Sequence, residues 1–319
     1  MKRNPSIELL RCVLMFGICL VHSAGKSGTD YQWLSYSLLW CVDCFVFISG
    51  YYGVRFSFAK VLRLYGLGLF CSLIGAALSV FLDHERELLV LWRREFCGYW
   101  FLHAYVLMMC LAPMADAAVE SLIRDKKRLG VALLGLGLSV FGWGWLSVYN
   151  VTKTFIPRTP GLSDYSGFTL LAIYIVARLC NKLNLGMRIS RLTALSVLLI
   201  ITGLGVMRIC VYNSPFAVLA AVAAFYLAEK TSVPQWLGRT VIFLAPSMFT
   251  VYLLQVNTAI FRDRIFEAYS RVVSIGVPWI VAIPCVAVLL FVSGTLIDLV
   301  RRGGLVVLCG MLSGVRRRQ

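Results

Sequence analysis

The sequence predicts an all-α integral membrane protein, a bundle of about ten transmembrane helices. Sixty per cent of its 319 residues are hydrophobic, only 14% are charged, and the mean hydropathy is +0.81. Ordinary soluble domains are roughly half apolar, whereas a helix that crosses a hydrocarbon core of about 30 Å needs roughly 20 apolar residues. The chain supplies runs of about that length, separated by short charged segments, so the bilayer is its solvent.

Ten apolar segments account for the predicted spans. They are Ile7–Ala24, Leu34–Gly53, Val61–Leu82, Tyr99–Ala118, Leu129–Tyr149, Tyr165–Cys180, Leu192–Met207, Tyr212–Ala228, Val241–Phe261 and Val277–Val300. The sixth and seventh have only about 16 residues, so they need a thinned bilayer or snorkelling arginines to cross it. The first is predicted to be a retained span rather than a cleaved signal peptide, because Arg11 and His22 interrupt it.

The distribution of lysine and arginine predicts the orientation. The amino terminus, the even-numbered loops and the carboxyl terminus together hold 19 of these residues, and the odd-numbered loops hold 10. The positive-inside rule therefore places both termini in the cytoplasm. Residues 1–302 are predicted to form a single transmembrane domain. Residues 303–319 form an apolar and basic tail at the membrane interface, because the apolar part is too short to span.

Composition also bounds the partners. The net charge is +16, but the basic residues lie between apolar runs, where they contact the headgroups of membrane lipids, and no soluble basic domain is present that would bind nucleic acid. The eleven cysteines are scattered and form no cluster with metal-ligand spacing, so no metal site is expected. Cys41 and Cys44 form a lone CxxC pair inside an apolar run, which is a weak signal.

The first predicted span carries three polar residues, Glu8, Arg11 and His22. Charged side chains inside a span are costly, and they are by default functional candidates. Glu8 and Arg11 are three residues apart, a spacing that permits an ion pair. Arg11 and His22 are eleven residues apart, which turns a helix through about 1100° and raises it by about 16 Å. Both side chains therefore lie on one helix face, Arg11 nearer the cytoplasm and His22 nearer the opposite surface.

These residues resemble a known family. The segment Ile7–Arg11, ten intervening residues and then His22 resemble the Arg-x10-His signature of the acyltransferase-3 family of bacterial membrane acyltransferases. Asp43–Tyr51, with its Ile-Ser-Gly-Tyr ending, resembles the second-helix block of that family. Tyr99–Leu102 and Ser247–Leu254 resemble its later helices more weakly. The late motif commonly ends in histidine, and Gln255 stands there in this chain, which puts a catalytic role for that position in doubt.

The resemblance implies an enzyme that transfers an acyl group, with acetyl as the first candidate, from acyl-coenzyme A to a hydroxyl group of a cell-surface or exported glycan. The acceptor could be a lipid-linked saccharide, the location is the bacterial inner membrane, and no cofactor is permanently bound. His22 is then the general base, because imidazole accepts protons near neutral pH. Arg11 is the second catalytic candidate, a cation that holds a phosphate group of the donor or polarises its thioester.

Seven further residues are candidates for binding the donor or the acceptor, and most have a structural alternative. Arg63 could anchor its helix at the membrane surface, Trp100 could belong to an aromatic belt, and His103 could be a hydrogen-bonded core histidine. Arg11 could snorkel to the surface, and His22 could be interfacial. Asp43 is predicted to face a polar cavity shared with His22. The full candidate set is Glu8, Asp43, Ser49, Arg63, Trp100, His103 and Tyr252.

Two other classes of protein remain open at this point. A multi-pass transporter or lipid-linked glycan flippase would use Arg11, Asp43 and His22 as a proton or substrate pathway. Against it, the sequence shows no inverted repeat and no matching pair of helices broken by glycine or proline. A purely structural membrane subunit would leave the polar residues of the first two spans unexplained.

Overall fold

The computed structural model describes residues 3–26, 31–83, 87–148, 165–210, 213–257 and 259–316, and every regular element in these ranges is helical. Fifteen α-helices follow one another in this part of the chain. They are α1 Pro5–Lys26, α2 Gln32–Leu38, α3 Trp40–Tyr52, α4 Phe58–Asp83, α5 Leu88–Cys97, α6 Trp100–Leu122, α7 Lys126–Leu136, α8 Gly144–Val148, α9 Gly167–Lys182, α10 Arg191–Val206, α11 Pro215–Glu229, α12 Gln235–Leu244, α13 Met248–Asn257, α14 Ala259–Ser274 and α15 Trp279–Arg316.

Seven helical segments of the described residues are long and apolar enough to cross a membrane. They are Pro5–Gly25, Gln32–Tyr52, Phe58–Phe81, Trp100–Leu122, Lys126–Leu146, Gln235–Gln255 and Trp279–Leu305. The shorter helices α9, α10 and α11 lie where the sixth to eighth spans were predicted, although the predicted boundaries Tyr149 and Tyr212 fall outside the described residues. The chain is thus an all-helical, multi-pass membrane protein. The count of ten spans and the cytoplasmic termini stay predictions.

Side-chain caps explain where several helices begin. The side chain of Asp125 accepts hydrogen bonds from the backbone N–H groups of Lys127 and Arg128 at the start of α7. Serines cap three later helices in the same way, Ser166 for α9, Ser190 for α10 and Ser214 for α11. Such caps satisfy backbone donors that have no partner inside the helix. The capping residue therefore helps to determine where each of these helices begins.

The structure departs from the predicted spans at three places. Leu39 separates α2 from α3 inside the second predicted span, and a 3₁₀ turn, Ala245–Ser247, separates α12 from α13 inside the ninth. Pro246 lies in that turn, and proline removes a backbone donor and breaks a helix. The segment between the third and fourth predicted spans, expected to be a loop, contains α5. Hydropathy alone does not reveal where a helix is interrupted inside a long apolar run.

The last helix, α15, is longer than a bilayer requires. It runs without a break from Trp279 to Arg316, 38 residues, which corresponds to about 57 Å at 1.5 Å per residue. The hydrocarbon core is about 30 Å thick. Residues 303–316 are therefore a helical continuation of the last span, and their location at the membrane interface stays a prediction.

Helix α1 lies at the centre of the bundle, in contact with α2, α3, α11, α12, α13 and α15. Its side chains Leu14 and Cys19 are fully buried. Helices α3 and α9 also pack closely, because a Cβ atom at Gly50 would lie 2.8 Å from the carbonyl oxygen of Tyr174. Gly50 therefore serves the close helix packing that small residues permit in membranes.

The face of the bundle at which α1 begins, here the amino-terminal face, is defined by contacts between helix ends. The Ser6 hydroxyl donates to the carbonyl oxygen of Thr231, just after α11. The carboxyl-terminal ends of α6 and α9 meet in two ion pairs, Arg178–Asp116 at 2.7 Å and Lys182–Glu120 at 2.9 Å, and Arg178 also donates to the carbonyl oxygen of Tyr51 at the end of α3. The Tyr51 hydroxyl also donates to Glu229 at the end of α11, so the carboxyl-terminal ends of α3, α6, α9 and α11 lie at the face where α1 begins.

Candidate functional site

A cavity of about 240 Å³ lies against α1. Its walls come from α1, α3, α4, α6, α13 and the 3₁₀ turn before α13, so segments far apart in sequence form it. The lining residues are Arg11, Met15, Ile18, Val42, Phe45, Ser49, Leu64, Phe101, Tyr105, Ala245, Pro246, Met248, Phe249 and Tyr252. A mostly apolar cavity with a few polar groups is the usual form of a small-molecule site.

One face of α1 runs along this cavity. Arg11, Met15 and Ile18 line it at spacings of four and three residues, which keeps them on one side of the helix. His22 follows four residues after Ile18, about 6 Å further along the same face. Its ring centroid lies 6.5 Å from that of Tyr252, which also lines the cavity. The structure therefore places Arg11 at the cavity and His22 just beyond its far end, on the shared face that the spacing predicts.

Arg11 is held by the partner that the spacing predicts. Its Nη1 atom lies 2.9 Å from Oε1 and 3.1 Å from Oε2 of Glu8. The Glu8 side chain is only 5% exposed, and the Arg11 side chain is 33% exposed. In the described part of the chain, Glu8 is the only group that hydrogen-bonds Arg11, so the Nε and Nη2 donors can serve an anionic or carbonyl group in the cavity.

The second polar group of the cavity is a pair of hydroxyls. The Oγ atom of Ser49 lies 3.1 Å from the hydroxyl oxygen of Tyr105, and it also donates to the carbonyl oxygen of Phe45. Because the Ser49 hydroxyl donates its one proton to the carbonyl oxygen of Phe45, it accepts a hydrogen bond from the Tyr105 hydroxyl. This pair joins α3 to α6 and presents two oxygen atoms to an otherwise apolar wall.

Aromatic rings form much of the remaining wall. The ring of Tyr252 lies 5.1 Å from that of Phe101 and is stacked on Phe249 with centroids 6.3 Å apart. Phe101 is also stacked on Tyr105 at 5.9 Å. Such ring pairs fix one another's positions. The wall opposite α1 is therefore a connected aromatic surface that starts beside His22 and reaches the hydroxyl pair.

Asp43 lies outside this cavity. Its side chain is buried, with 1% of the residue exposed, and the cavity wall at this point is formed by its neighbour Val42. The hydroxyl group of Tyr165, which donates to the carbonyl oxygen of Leu39, is a polar neighbour of the Asp43 carboxylate. Asp43 therefore does not line this cavity, and a polar cavity that it shares with His22 stays a prediction.

Arg63 is exposed on α4, beside the lining residue Leu64. Helix α4 begins at Phe58, five residues after Gly53 ends the α3 segment at the amino-terminal face. Within the described ranges, Arg63 makes no ion pair with the protein. Its position near the same face as Arg11 suits either a donor contact or a membrane anchor.

Trp100 and His103 are packed into the protein away from the cavity. The indole of Trp100 lies parallel to the ring of Tyr165, with centroids 5.7 Å apart. The Nε2 atom of His103 lies 3.1 Å from the carbonyl oxygen of Phe96, and its ring packs against Phe96 and Tyr65. Neither residue lines the cavity, although their neighbour Phe101 does. The structure therefore separates both from the α1 face.

Gln255, at the position where the family commonly has histidine, points toward α1. It is 3% exposed, and its Nε2 atom lies 3.5 Å from the Sδ atom of Met15. Met15 lines the cavity, so Gln255 lies behind the wall rather than in it. Sulfur is a weak hydrogen-bond acceptor, so this contact is a weak one.

Several residues near the site escaped the sequence analysis. Tyr105 and Phe249 line the cavity, and Asp298 is fully buried beside α13, where it contacts Thr250 and two arginines. One signal was available for Asp298, an acidic residue in the last span followed three and four residues later by Arg301 and Arg302. A weaker signal was available for Phe249, which lies in the segment Ser247–Leu254 that resembles a late motif of the family. No comparable signal exists for Tyr105, since aromatic residues are common throughout the chain.

No group of three or more histidine, cysteine, aspartate or glutamate side chains that could hold a metal ion occurs among the residues the structure describes. Chemistry at this site can instead draw on one guanidinium group, one imidazole ring and a pair of hydroxyls. The polar side chains flank an apolar, aromatic cavity within the bundle.

This arrangement defines a multi-pass membrane protein with a mostly apolar cavity beside its first helix. A family model described as an acyltransferase domain matches residues 4–299, nearly the whole chain. The protein therefore belongs to the acyltransferase-3 family and is an acyltransferase, as the resemblance implies. This result replaces the transporter and structural-subunit interpretations. Comparison with curated proteins and comparison with solved structures each produced no match.

Proposed function

We propose that this acyltransferase uses acyl-coenzyme A, with acetyl as the acyl group, and transfers it to a hydroxyl group of a cell-surface or exported glycan or of a lipid-linked saccharide. The observation that carries the proposal is the α1 face, which brings Arg11 to the cavity and places His22 beyond its far end beside Tyr252. One helix face thus presents a cation for the donor and a base for the acceptor.

The donor part rests on the size and chemistry of the cavity. A volume of about 240 Å³ is too small for a whole coenzyme A molecule but suits an acyl group and the thioester end of its carrier arm. The phosphate-bearing part would remain at the amino-terminal face. Arg11 has unused guanidinium donors there, and Arg63 is exposed nearby. Guanidinium groups bind phosphate oxygens with paired, charge-assisted hydrogen bonds.

The separation of Arg11 and His22 assigns them different tasks. Eleven residues of helix separate their Cα atoms by about 16 Å, whereas reacting atoms meet at about 3–3.5 Å. The Arg11 guanidinium is turned toward Glu8, one turn nearer the start of α1 and away from His22, so the two side chains do not meet at one carbonyl group. Arg11 therefore serves donor binding, and His22 serves the reacting hydroxyl group.

The transfer step can be written with His22 as the base. The imidazole takes the proton of the acceptor hydroxyl while the hydroxyl oxygen attacks the thioester carbonyl carbon. A new C–O bond forms, the C–S bond breaks, and the sulfur leaves as a thiolate. The imidazolium returns the proton to that thiolate, so the products are the acylated acceptor and the free thiol of coenzyme A. Tyr252 stacks on the aromatic wall beside His22 and positions the acceptor.

The proposed location is the bacterial inner membrane with the amino-terminal face in the cytoplasm, where acyl-coenzyme A is available. The excess of lysine and arginine on that face supports this orientation. Cysteines introduced one at a time at Lys127, Lys182 and Lys26 test it in intact cells with a membrane-impermeant thiol reagent, after the native reactive thiols are blocked. We expect labelling at Lys26 alone. Labelling at Lys127 or Lys182 contradicts the orientation.

Two measurements test the reaction itself. Mass spectrometry of surface glycans from cells with and without the gene should show the loss of one acetyl group per modified sugar. Purified protein in lipid nanodiscs, given isotope-labelled acetyl-coenzyme A and the deacylated glycan, should move the label to the glycan. Unchanged acylation in the deleted cells, or labelling that is independent of the protein, contradicts the proposed donor and acceptor.

A further inference from the structure

A buried ionic cluster joins α13 to α15 behind the aromatic wall. Its centre is Asp298, which is 0% exposed. The Oδ1 atom of Asp298 accepts a hydrogen bond from the Thr250 hydroxyl at 2.7 Å and two from Arg301 at 2.9 and 2.7 Å. Its Oδ2 atom lies 3.1 Å from the Nε atom of Arg302. Three side chains from two helices thus make four contacts with one carboxylate.

The same cluster also fixes the position of the 3₁₀ turn between α12 and α13. Arg302 donates from Nη2 to the Ser247 hydroxyl at 2.9 Å and to the carbonyl oxygen of Phe243 at 3.3 Å. Phe243 lies in the last turn of α12, and Ser247 ends the 3₁₀ turn that contains Pro246. Pro246 and its neighbour Ala245 line the cavity. Arg302 therefore ties both sides of the break to α15.

Burying a carboxylate and partly burying two guanidinium groups costs desolvation free energy, and replacing such a cluster by apolar side chains is often neutral or stabilising. Apolar packing alone could hold α13 against α15, and their backbones already approach closely, since a Cβ atom at Gly294 would lie 3.0 Å from the Cα atom of Val251. The hydrogen bonds of the cluster are directional, so they form at only one orientation of the two helices. They therefore fix how α13 is rotated about its own axis relative to α15.

Rotation of α13 matters because its opposite side forms the cavity wall. At 100° per residue, Tyr252 lies about 200° and Phe249 about 100° from Thr250 around the helix. Thr250 faces Asp298 on α15, while Phe249 and Tyr252 line the cavity. A rotation of about 20° would move a ring some 6 Å from the helix axis by about 2 Å. A misplacement of 1 Å can cost about 10²-fold in rate.

We propose that Asp298 is a positioning residue for acyl transfer, which acts through Thr250 and Arg302 to keep Phe249 and Tyr252 turned into the cavity. Asp298 itself touches no reacting atom. The inference rests on the proposed role of the cavity as the reaction site. Its consequence is that a conservative change in the cluster lowers turnover while the protein still inserts and folds.

Thr250→Val is the sharpest variant, because it keeps the side-chain shape and removes only the hydroxyl that donates to Asp298. Thr250→Ser restores that hydroxyl. The matched control is Thr295→Val, since Thr295 is 6% exposed on α15 one turn before Asp298 but donates within its own helix to the carbonyl oxygen of Phe291. Asp298→Asn is the stronger variant, and its folding is checked by expression and thermal unfolding in detergent.

Turnover is measured with acetyl-coenzyme A and the glycan acceptor. We expect Thr250→Val to lower kcat about tenfold with the KM for the donor within about twofold, because the proposal assigns the donor phosphates to Arg11 on α1 and not to the rings that α13 carries. Thr250→Ser should regain at least half of the parental kcat, and Thr295→Val should keep it. A Thr250→Val kcat within twofold of the parent, or an equal loss in Thr295→Val, overturns the inference.

A second readout does not depend on activity, so it separates this inference from the proposed function. A fluorinated phenylalanine incorporated at Phe249 reports the surroundings of that ring by ¹⁹F NMR. We expect its signal to shift or broaden in Thr250→Val and Asp298→Asn and to stay in place in Thr295→Val. If the parent transfers no acyl group from acetyl-coenzyme A, the proposed donor fails and this signal still decides the inference. An unchanged signal in both cluster variants overturns it.

Discussion

The two histidines on α1 and α6 have similar sequence surroundings but different positions in the structure. Both are single imidazoles in apolar helices. His22 lies beyond the far end of the cavity, on the face shared with Arg11, with its ring beside Tyr252. His103 is engaged by the carbonyl oxygen of Phe96 and enclosed by aromatic rings outside the cavity. Because its ring nitrogen is held by a backbone carbonyl outside this cavity, we expect His103 to serve packing rather than proton transfer.

Arg11 and Trp100 show the same contrast between a side chain at the cavity and one packed outside it. Arg11 keeps donors for a ligand after its ion pair with Glu8, whereas Trp100 is stacked on Tyr165 with its ring plane covered. Polarity inside a span is therefore a weak indicator of function until the space beside the side chain is known. Matched substitutions at the two histidines, at Arg11 and at Gln255 test this contrast directly.

The largest effect is expected at His22. His22→Gln keeps hydrogen bonding but cannot accept a proton at neutral pH, and a general base contributes about 10²–10⁴ in rate, so turnover should fall at least about 100-fold. The measurement is acyl transfer by purified protein, with expression and thermal unfolding as checks. Turnover above about a tenth of the parental value would mean that His22 is not the base.

The next effect is expected at Arg11. Arg11→Lys keeps the charge but loses the planar pair of donors, so the KM for the donor should rise about tenfold or more while kcat changes less. Glu8→Gln is the matched control, because it weakens the ion pair without removing the guanidinium group. A normal KM in Arg11→Lys would indicate that Arg11 is a membrane-surface anchor.

A smaller effect is expected at Gln255. Gln255→Met keeps the length of the side chain and removes the amide, which contacts the sulfur atoms of Met15 and Cys19 on α1. Because such contacts are weak, we expect turnover to fall only about two- to fourfold. Gln235→Met, at the exposed start of α12, controls for the change of residue type. A loss as large as that of His22→Gln would place Gln255 in the reaction.

The smallest effect on turnover is expected at His103. His103→Gln can still donate to the carbonyl oxygen of Phe96, so turnover should stay within about threefold of the parent, while the thermal unfolding temperature falls slightly because the ring contacts with Tyr65 and Phe96 are lost. Both values come from the same preparation used for His22→Gln. If the two histidine variants lose equal activity, the contrast between them is wrong.

The features that the sequence predicts correctly are local ones. Apolar runs predict membrane helices, and the three-residue spacing of Glu8 and Arg11 predicts the ion pair that the structure contains. The eleven-residue spacing of Arg11 and His22 predicts their shared face, since helix periodicity relates residues of one helix without knowledge of its neighbours. The resemblance to the acyltransferase-3 family rests on these same residues and is confirmed over residues 4–299.

What the sequence by itself determined is therefore the class of protein, the helical segments and the face of α1 that carries polar groups. Only the tertiary structure decided which side chains meet that face, because the partners Tyr105, Phe249 and Tyr252 come from helices far along the chain. It also decided that His103 packs against Phe96 and that Asp298 is buried under α13. Contacts between helices depend on how they are rotated and broken, and hydropathy carries no information about either.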